Sequence, residues 1–355
     1  MHYQEHKSTS SFLTKAEKQL HEKLPFVLYR KPSEDTVHGI FQKDASLLTI
    51  QDFSETGFVF APFNEANESI LLRPDELHTA AFKREEKSKL QAPAQRLVIP
   101  EEQTRFMTMV AKGIDLLKKG ALGKVVLSRK IEVPCYKKPI TIFADLLDAY
   151  PTAFCYYWYH PAIGLWVGAT PELFMNFNGN RFRTISLAAT QKVVHGKEPK
   201  WGTKERQEQE MVTQYIHDVL KNNVENLSVS ETQNSQAGQL WHLRSDISAQ
   251  ISSNKTKEVI NALHPTSAVC GMPLDEAQTF IQENEGYDRK FYTGYLGELN
   301  INSSSDIQLY VNLRCMELFE GKALIYVGGG ITADSDPEKE WQETVDKSYT
   351  MLNII

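Results

Sequence analysis

Two pairs of glutamates have a type and spacing that could hold a metal ion. Glu205 and Glu208 lie three residues apart at the start of one predicted helix, and Glu340 and Glu343 repeat the spacing at the start of another. Mg²⁺ prefers carboxylate and water oxygens and usually keeps part of its shell open for a substrate, so the two pairs could converge on one magnesium ion. Acids also favour helix starts through the helix dipole, so the pattern alone leaves a solvated role open.

A lysine opens a segment that otherwise has the pattern of a buried strand. In GKVVLSRKIEV, Val125 and Leu127 alternate with polar residues such as Ser128, the period of a strand with one packed face and one available face. Lys124 is therefore either a solvated lysine at a strand end or a lysine that faces a cavity. In a cavity, loss of solvent favours the neutral amine, which could act as a base.

The helices that carry the glutamates differ in how they present them. At about 100° per residue, Glu205 and Glu208 fall on the arc of the apolar stripe that contains Val212 and Ile216, so both acids are expected to point inward. The second pair lies beside the stripe of its helix, and periodicity does not bury it. Ser335 or Asp336 can cap that helix, and Pro337 suits its first turn.

The remaining elements predict an α+β fold with largely antiparallel sheets and prominent hairpins. Residues 12–24, 106–117 and 142–150 have helical patterns, whereas PFVLYR, GFVFAPF, AFCYYWYH and IGLWVGA have the composition of strands. Asn178-Gly179 joins two alternating runs and predicts a tight hairpin turn. The polar stretch 82–95 is expected to be a surface connection.

Composition excludes several classes of protein. The 355 residues carry a net charge of −6 with scattered cationic side chains, which argues against nucleic acid as a partner. No apolar run is long enough to cross a bilayer, and the polar opening residues do not resemble a secretory signal, so we expect a cytoplasmic protein with no membrane partner. The four widely spaced cysteines predict neither a disulfide framework nor a zinc site.

A series of short blocks resembles the chorismate-binding enzymes, which include isochorismate, salicylate, anthranilate and aminodeoxychorismate synthases. The blocks occur in the family's order and spacing between Arg105 and Ile355, whereas the first hundred residues contain none. They read KVVLSR, GATPELF, SLAAT, HPTSAVCG, FYTGYLG, VNLR and GGGITADSDPEKEWQET, followed by Lys347. The resemblance implies one chorismate-binding domain over residues 1–355 with the fold of anthranilate synthase component I, in which helices lie outside large, mostly antiparallel sheets.

The resemblance also implies roles for the residues that could do chemistry. Lys124 matches the general base that activates water for attack at C2 of chorismate, and Glu172 of GATPELF matches the general acid that protonates the departing C4 hydroxyl. Chorismate is a dianion whose ring carboxylate can bind Mg²⁺. Glu208 and Glu343 match the direct Mg²⁺ ligands, and Glu205 and Glu340 match the acids that act largely through water.

The other matched residues are expected to bind substrate. Arg314 and Tyr292 hold the enolpyruvyl carboxylate, helped by main-chain N–H groups around the glycine run. His264 is expected near the reacting C4 side. The further substrate-lining residues are Thr190, Ala268, Gly328, Gly329, Gly330 and Lys347.

Departures from the family pattern distinguish between its members. The block usually written L-A-G-T here has Ala189 in place of glycine, and Ala188 stands where aminodeoxychorismate synthases carry a nucleophilic lysine. Ala268 stands where ammonia-using and salicylate-forming members tend to have threonine. We therefore expect a Mg²⁺-dependent isomerase that makes isochorismate, for menaquinone or alternatively siderophore synthesis, as a monomer without a glutamine amidotransferase subunit. The alternatives are a salicylate synthase and a non-catalytic chorismate-binding subunit.

Overall fold

Helices and strands are mixed along the chain. The computed structural model describes residues 4–6, 9–84, 99–194, 197–237 and 240–355. Its helices are α1 (Thr9–His21), α2 (Pro100–Lys118), α3 (Pro139–Ala149), α4 (Thr203–Leu220), α5 (Thr256–Leu263), α6 (Leu274–Asn284) and α7 (Pro337–Leu352). None of these helices combines the length and the apolar composition needed to cross a bilayer.

Ten strands form the first sheet, in the order β1-β7-β3-β2-β9-β10-β19-β20-β8-β16. Apart from the short parallel pair β1·β7, the strand pairs described in this sheet are antiparallel. The strands are β1 (Gln4–His6), β2 (Phe26–Arg30), β3 (Thr36–Phe41), β7 (Glu76–Ala81), β8 (Lys124–Pro134), β9 (Phe154–His160), β10 (Gly164–Thr170), β16 (Gly271–Met272), β19 (Cys315–Phe319) and β20 (Lys322–Ile331).

The second sheet has the order β13-β15-β12-β11-β18-β17-β5-β6-β4, with β14 also paired to β15. Its described pairs are antiparallel. The strands are β4 (Leu48–Thr49), β5 (Gly57–Ala61), β6 (Ile70–Leu72), β11 (Leu173–Asn178), β12 (Arg181–Lys192), β13 (Glu225–Val229), β14 (Gln233–Ala237), β15 (Leu240–Gln250), β17 (Tyr295–Leu299) and β18 (Asp306–Val311). The predicted α+β class with largely antiparallel sheets is confirmed.

An aromatic core joins the two sheets face to face. Phe154 of the first sheet stacks on Tyr310 of the second with ring centroids 4.3 Å apart, and Phe60 of the second sheet lies 4.8 Å from Trp158 of the first. The outer faces are covered by helices, with α1, α3 and α7 on the first sheet and α4 and α5 on the second. Burial of these large side chains is the main favourable term that holds the sheets together.

The predicted local elements differ from the structure in two details. Asn178 pairs with Arg181, so the hairpin turn consists of Gly179 and Asn180, one residue later than predicted, and Gly179 has a φ of 59°. Strand β8 is buried on both faces through Arg129, and its alternation with solvent begins only at Lys130. Most of the predicted surface connection 82–95 lies outside the described residues.

Candidate active site

Both sheets and two helices contribute to one cavity of about 180 Å³. Lys124 comes from β8, Arg314 from the turn before β19, and the glutamate pairs come from α4 and α7. Fourteen of the fifteen residues expected in the site line this cavity: Lys124, Glu172, Thr190, Glu205, Glu208, Ala268, Tyr292, Arg314, Gly328, Gly329, Gly330, Glu340, Glu343 and Lys347. The exception is His264.

Lys124 faces the cavity rather than solvent. Its side chain is only 3% exposed, and its Nζ lies 2.9 Å from Oε1 of Glu208, so strand β8 and helix α4 meet through an ion pair. The adjacent strand makes room for the lysine with a glycine, because a Cβ added at Gly330 would lie 2.9 Å from Cε of Lys124. A buried amine beside a carboxylate and an open cavity is placed to exchange a proton with a bound molecule.

Glu172 is a carboxyl group whose charged form is disfavoured. Burial raises its pKa from 4.5 to about 7, and the nearby cations Lys124, Lys347 and Arg314 only partly oppose that rise. Its backbone is anchored, since its carbonyl accepts from the Val311 N–H at 3.0 Å. Near neutral pH this group is roughly half protonated and can donate a proton.

The acids of α7 are presented by a well-capped helix. The carboxylate of Asp336 accepts from the backbone N–H groups of the residues two and three positions later, and Pro337 occupies the first turn, as predicted. Glu340 is buried because α7 packs against Gly329 of β20. The periodicity of the helix did not predict this burial. A Cβ at Gly329 would lie 3.4 Å from a carboxylate oxygen of each of Glu340 and Glu343.

The glutamates have partners from the protein in this arrangement. Glu343 lies 2.6 Å from the Nζ of Lys347, and Glu208 pairs with Lys124. Glu205 accepts the Gly202 N–H at 2.8 Å at the start of α4. Within the described residues, no three acidic, histidine or cysteine side chains lie close enough together to hold an ion as they stand. The donor chemistry nevertheless suits Mg²⁺, because four carboxylates line one cavity.

Cationic and hydroxyl groups occupy the same cavity. Arg314, which has a φ of 48°, donates from Nη1 to Oγ1 of Thr350 at 3.1 Å, and burial lowers the pKa of its guanidinium. Lys347 donates to the Gly328 carbonyl at 2.9 Å. The Tyr292 hydroxyl makes no hydrogen bond to the described residues and lies beside Gly328. Arg314, Lys347 and the Tyr292 hydroxyl can therefore bind an anionic group in the cavity.

The glycine run lies at a strand edge that faces the cavity. Pairing of β20 with β19 ends at Tyr326, whereas pairing with β8 continues through Gly328, Gly329 and Gly330. Side chains cannot fill this edge, because a Cβ at Gly328 would lie 2.8 Å from the Leu127 carbonyl oxygen and 3.0 Å from the Tyr292 hydroxyl. The backbone can therefore approach a ligand closely.

His242 is a cavity residue that the sequence analysis missed. Its Nδ1 lies 2.9 Å from the Ala189 carbonyl oxygen, which can only accept, so the proton is assigned to Nδ1 and Nε2 is left as an acceptor. Burial lowers the pKa of His242 to about 4, assisted by Arg314 and Lys347. His242 lies opposite the SLAAT block. That position follows from the register of β12 with β15, which the sequence alone does not give.

His264, which was expected near the reacting carbon, is not among the residues that line the cavity. Its Nε2 lies 2.9 Å from the Pro62 carbonyl oxygen, and its ring packs edge-on against Tyr295 at 4.9 Å. Burial lowers its pKa to about 4. These contacts give His264 a structural role behind Ala268, which does reach the cavity.

The fold is α+β, with two sheets packed face to face. The cavity is lined by carboxylates and by cationic groups that can receive an anion, which is typical of a protein that binds a small anionic molecule. The chain belongs to the family of chorismate binding enzymes, whose model matches residues 4–353. It is 31% identical over 317 residues to the isochorismate synthase EntC of Escherichia coli, and the matched region is 82% of this chain and 79% of that protein.

Two further similarities agree with this assignment. The isochorismate synthase DhbC of Bacillus subtilis is 28% identical over 325 residues, which are 83% of this chain and 79% of that protein. The solved structure of MenF, the menaquinone-specific isochorismate synthase of E. coli, matches with a TM-score of 0.74 and 20% identity, over 93% of this chain and 88% of that one. The structural match supports the fold.

Proposed function

We propose that this protein is an isochorismate synthase, an isomerase that converts chorismate to isochorismate. The observation that carries the proposal is the meeting of Lys124 and Glu172 in one cavity whose walls also hold four carboxylates and an anion-receiving cluster. One group can take a proton while the other gives one, which is what addition of water at one ring carbon and loss of hydroxide at another require.

The proposed reaction replaces one hydroxyl with another. Lys124 accepts a proton from water as the water oxygen bonds to C2, the ring double bond shifts, and the C4–O bond breaks. Glu172 donates its proton to the departing hydroxyl, which leaves as water. The pKa of about 7 for Glu172 supports the acid role, because a carboxyl group with an ordinary pKa would hold almost no proton at neutral pH.

One of the two carboxylates of the substrate is proposed to bind the cationic and hydroxyl groups of the cavity. Arg314 and the Tyr292 hydroxyl would hold the enolpyruvyl carboxylate, together with backbone N–H groups of the glycine run. Thr190 and Lys347 would line the remaining surface. Ala268 stands where ammonia-using and salicylate-forming members of the family tend to have threonine, and this resemblance supports water as the nucleophile and release of isochorismate without elimination of pyruvate.

Magnesium is the proposed cofactor. Glu208 and Glu343 would bind it directly, and Glu205 and Glu340 would act through water molecules. When bound, the ion would neutralise the ring carboxylate of chorismate and withdraw electrons from the ring. The carboxylates fit a hard cation, and the pairing of Glu208 with Lys124 and of Glu343 with Lys347 shows that both carboxylates accept a cationic partner.

We also propose that the whole chain acts as one catalytic domain, in the cytoplasm, as a monomer and without an amidotransferase subunit. The first hundred residues support the one-domain proposal because they supply strands to both sheets, including β2, β3 and β7 to the first and β4, β5 and β6 to the second. The four cysteines are free thiols, as suits a reducing compartment.

An oxygen-18 experiment tests the proposed chemistry. Chorismate converted in H₂¹⁸O with Mg²⁺ should give isochorismate that carries one labelled oxygen, located at C2 by mass spectrometry. Addition of ammonium salts should produce no aminated product. Isochorismate without label, or an aminated product, would contradict water addition.

A further inference from the structure

A buried ion pair lies behind the cavity wall. Arg289 and Glu285 are 2% and 3% exposed, and the guanidinium binds the carboxylate through Nε at 2.8 Å and Nη2 at 2.5 Å. Glu285 also accepts the backbone N–H and the hydroxyl of Ser128, at 2.7 and 2.9 Å. The pair is thereby tied to β8, which begins at Lys124.

The three remaining N–H groups of Arg289 all point to residues that line the cavity. They donate to the Val126 carbonyl at 2.7 Å, the Val269 carbonyl at 2.9 Å and the Thr293 hydroxyl at 3.2 Å. All five donors of the guanidinium are therefore used, and three segments of the chain meet at one side chain. A lysine could not reproduce this arrangement, because its single ammonium lacks the planar fork.

Each of these segments carries a residue assigned to the reaction. Val126 is two positions after Lys124 on the same strand face, Val269 follows Ala268, and Thr293 follows Tyr292. The side chain of Arg289 thus links the segments that carry the proposed base Lys124, Ala268 and Tyr292, whose hydroxyl is proposed to bind the substrate carboxylate.

The Tyr292–Gly294 segment needs such support. Thr293 is β-branched yet has a φ of 63°, a conformation that persists only where the surroundings impose it. Its hydroxyl donates to the Tyr292 carbonyl at 2.5 Å and accepts from Arg289. The next residue is pressed against β5, since a Cβ at Gly294 would lie 2.0 Å from the Ala61 carbonyl oxygen.

We propose that Arg289, held by Glu285, is a positioning residue that sets the relative placement of Lys124, Ala268 and Tyr292. The proposal rests on the proposed function for its kinetic consequences. It predicts that loss of the guanidinium fork lowers kcat more than it raises KM, because misplacement by about 1 Å can slow a reaction by about 10²-fold.

The test compares Arg289→Lys with a matched buried-charge variant, Glu298→Gln. Glu298 is also buried and binds Lys31 and Tyr29, but neither partner lines the cavity. Well below both unfolding midpoints, Arg289→Lys should lower kcat at least about tenfold with KM within about threefold of wild type. Glu298→Gln should keep both values.

Hydrogen–deuterium exchange supplies a readout that does not depend on turnover. Without substrate, peptides covering 124–128 and 268–270 should exchange at least about tenfold faster in Arg289→Lys than in Glu298→Gln. If kinetics and exchange match between the two variants, the positioning role is wrong. A wild-type protein without isochorismate synthase activity would instead overturn the proposed function, and the exchange comparison would still decide the structural claim.

A milder pair of variants keeps the proposal testable if Arg289→Lys does not fold. Thr293→Val conserves volume but removes the hydroxyl that Arg289 and the Tyr292 carbonyl share, whereas Thr293→Ser retains it. We expect a loss in kcat of about tenfold for valine and near wild-type kcat for serine. Equal kcat values for the two variants would overturn the proposal.

Discussion

Glu172→Gln tests the proton donor, because glutamine keeps the shape of the carboxyl group and removes its titration. With a pKa of about 7, roughly half of the wild-type Glu172 is protonated at pH 7, against about one molecule in 300 for a pKa of 4.5. The wild-type rate should therefore fall about tenfold per pH unit above pH 7. Glu172→Gln should lose about 10²- to 10⁴-fold in kcat and lose that alkaline limb.

The same pKa predicts a change in stability with pH. Because the folded-state pKa lies above the unfolded-state value near 4.5, the stabilising contribution is complete below pH 4.5 and is lost as the pH rises through about 7. Between pH 6 and pH 9 the wild type should lose about 1.4 kcal/mol of unfolding free energy from this group. Glu172→Gln should lack this loss.

The assay combines initial rates of isochorismate formation with urea unfolding, each measured from pH 6 to pH 9. Glu172→Asp is the control, because it retains a carboxylic acid on a shorter arm and should keep the alkaline limb at a lower rate. A wild-type rate that does not decline up to pH 9, or a glutamine variant with wild-type kcat, would refute the assignment of Glu172 as the acid.

Three further predictions follow from the site. Lys124→Ala should abolish turnover while chorismate binding, measured by calorimetry with Mg²⁺, is largely retained; wild-type-like turnover would contradict the base role. Glu343→Gln should weaken Mg²⁺ affinity in a metal titration, with activity partly restored at high Mg²⁺, whereas the exposed Glu338→Gln on the same helix should match wild type; equal affinities in both variants would exclude Glu343 as a ligand. Asp336→Ala should cost about 1 kcal/mol of unfolding free energy by urea denaturation, and an unchanged midpoint would show that the cap contributes nothing.

Local patterns predicted most elements but not their arrangement. The extended conformation of β8, the hairpin turn near Gly179 and the cap at Asp336 depend on neighbouring residues, so the sequence indicates them directly. The two-sided burial of β8 depends on pairing with β20, which places Gly330 opposite Val126 although about 200 residues separate them in the sequence. No local period contains that information.

The candidate site shows the same limit. Blocks that resemble the family indicated most of the cavity, yet His264 lies behind the wall and His242 faces the cavity. The His264 ring is held by a hydrogen bond to Pro62, whereas the register of β12 with β15 brings His242 to the SLAAT segment, and neither contact follows from a local pattern.

Ala189 shows what a departure from the family pattern means physically. The position that is usually glycine has a φ of 58° here, and it lies where the register of β12 with β15 shifts. Glycine adopts such a φ without steric cost, whereas alanine is strained by about 1–2 kcal/mol. The hydrogen bond from His242 to the Ala189 carbonyl is one of the contacts that hold this bulge.

Product analysis tests the central claim most directly. The purified protein is incubated with chorismate and either Mg²⁺ or EDTA, the products are separated by chromatography, and salicylate fluorescence and pyruvate are measured in parallel. We predict Mg²⁺-dependent accumulation of isochorismate to an equilibrium mixture without pyruvate. Salicylate with stoichiometric pyruvate, or no Mg²⁺-dependent conversion of chorismate, would contradict the proposed isochorismate synthase.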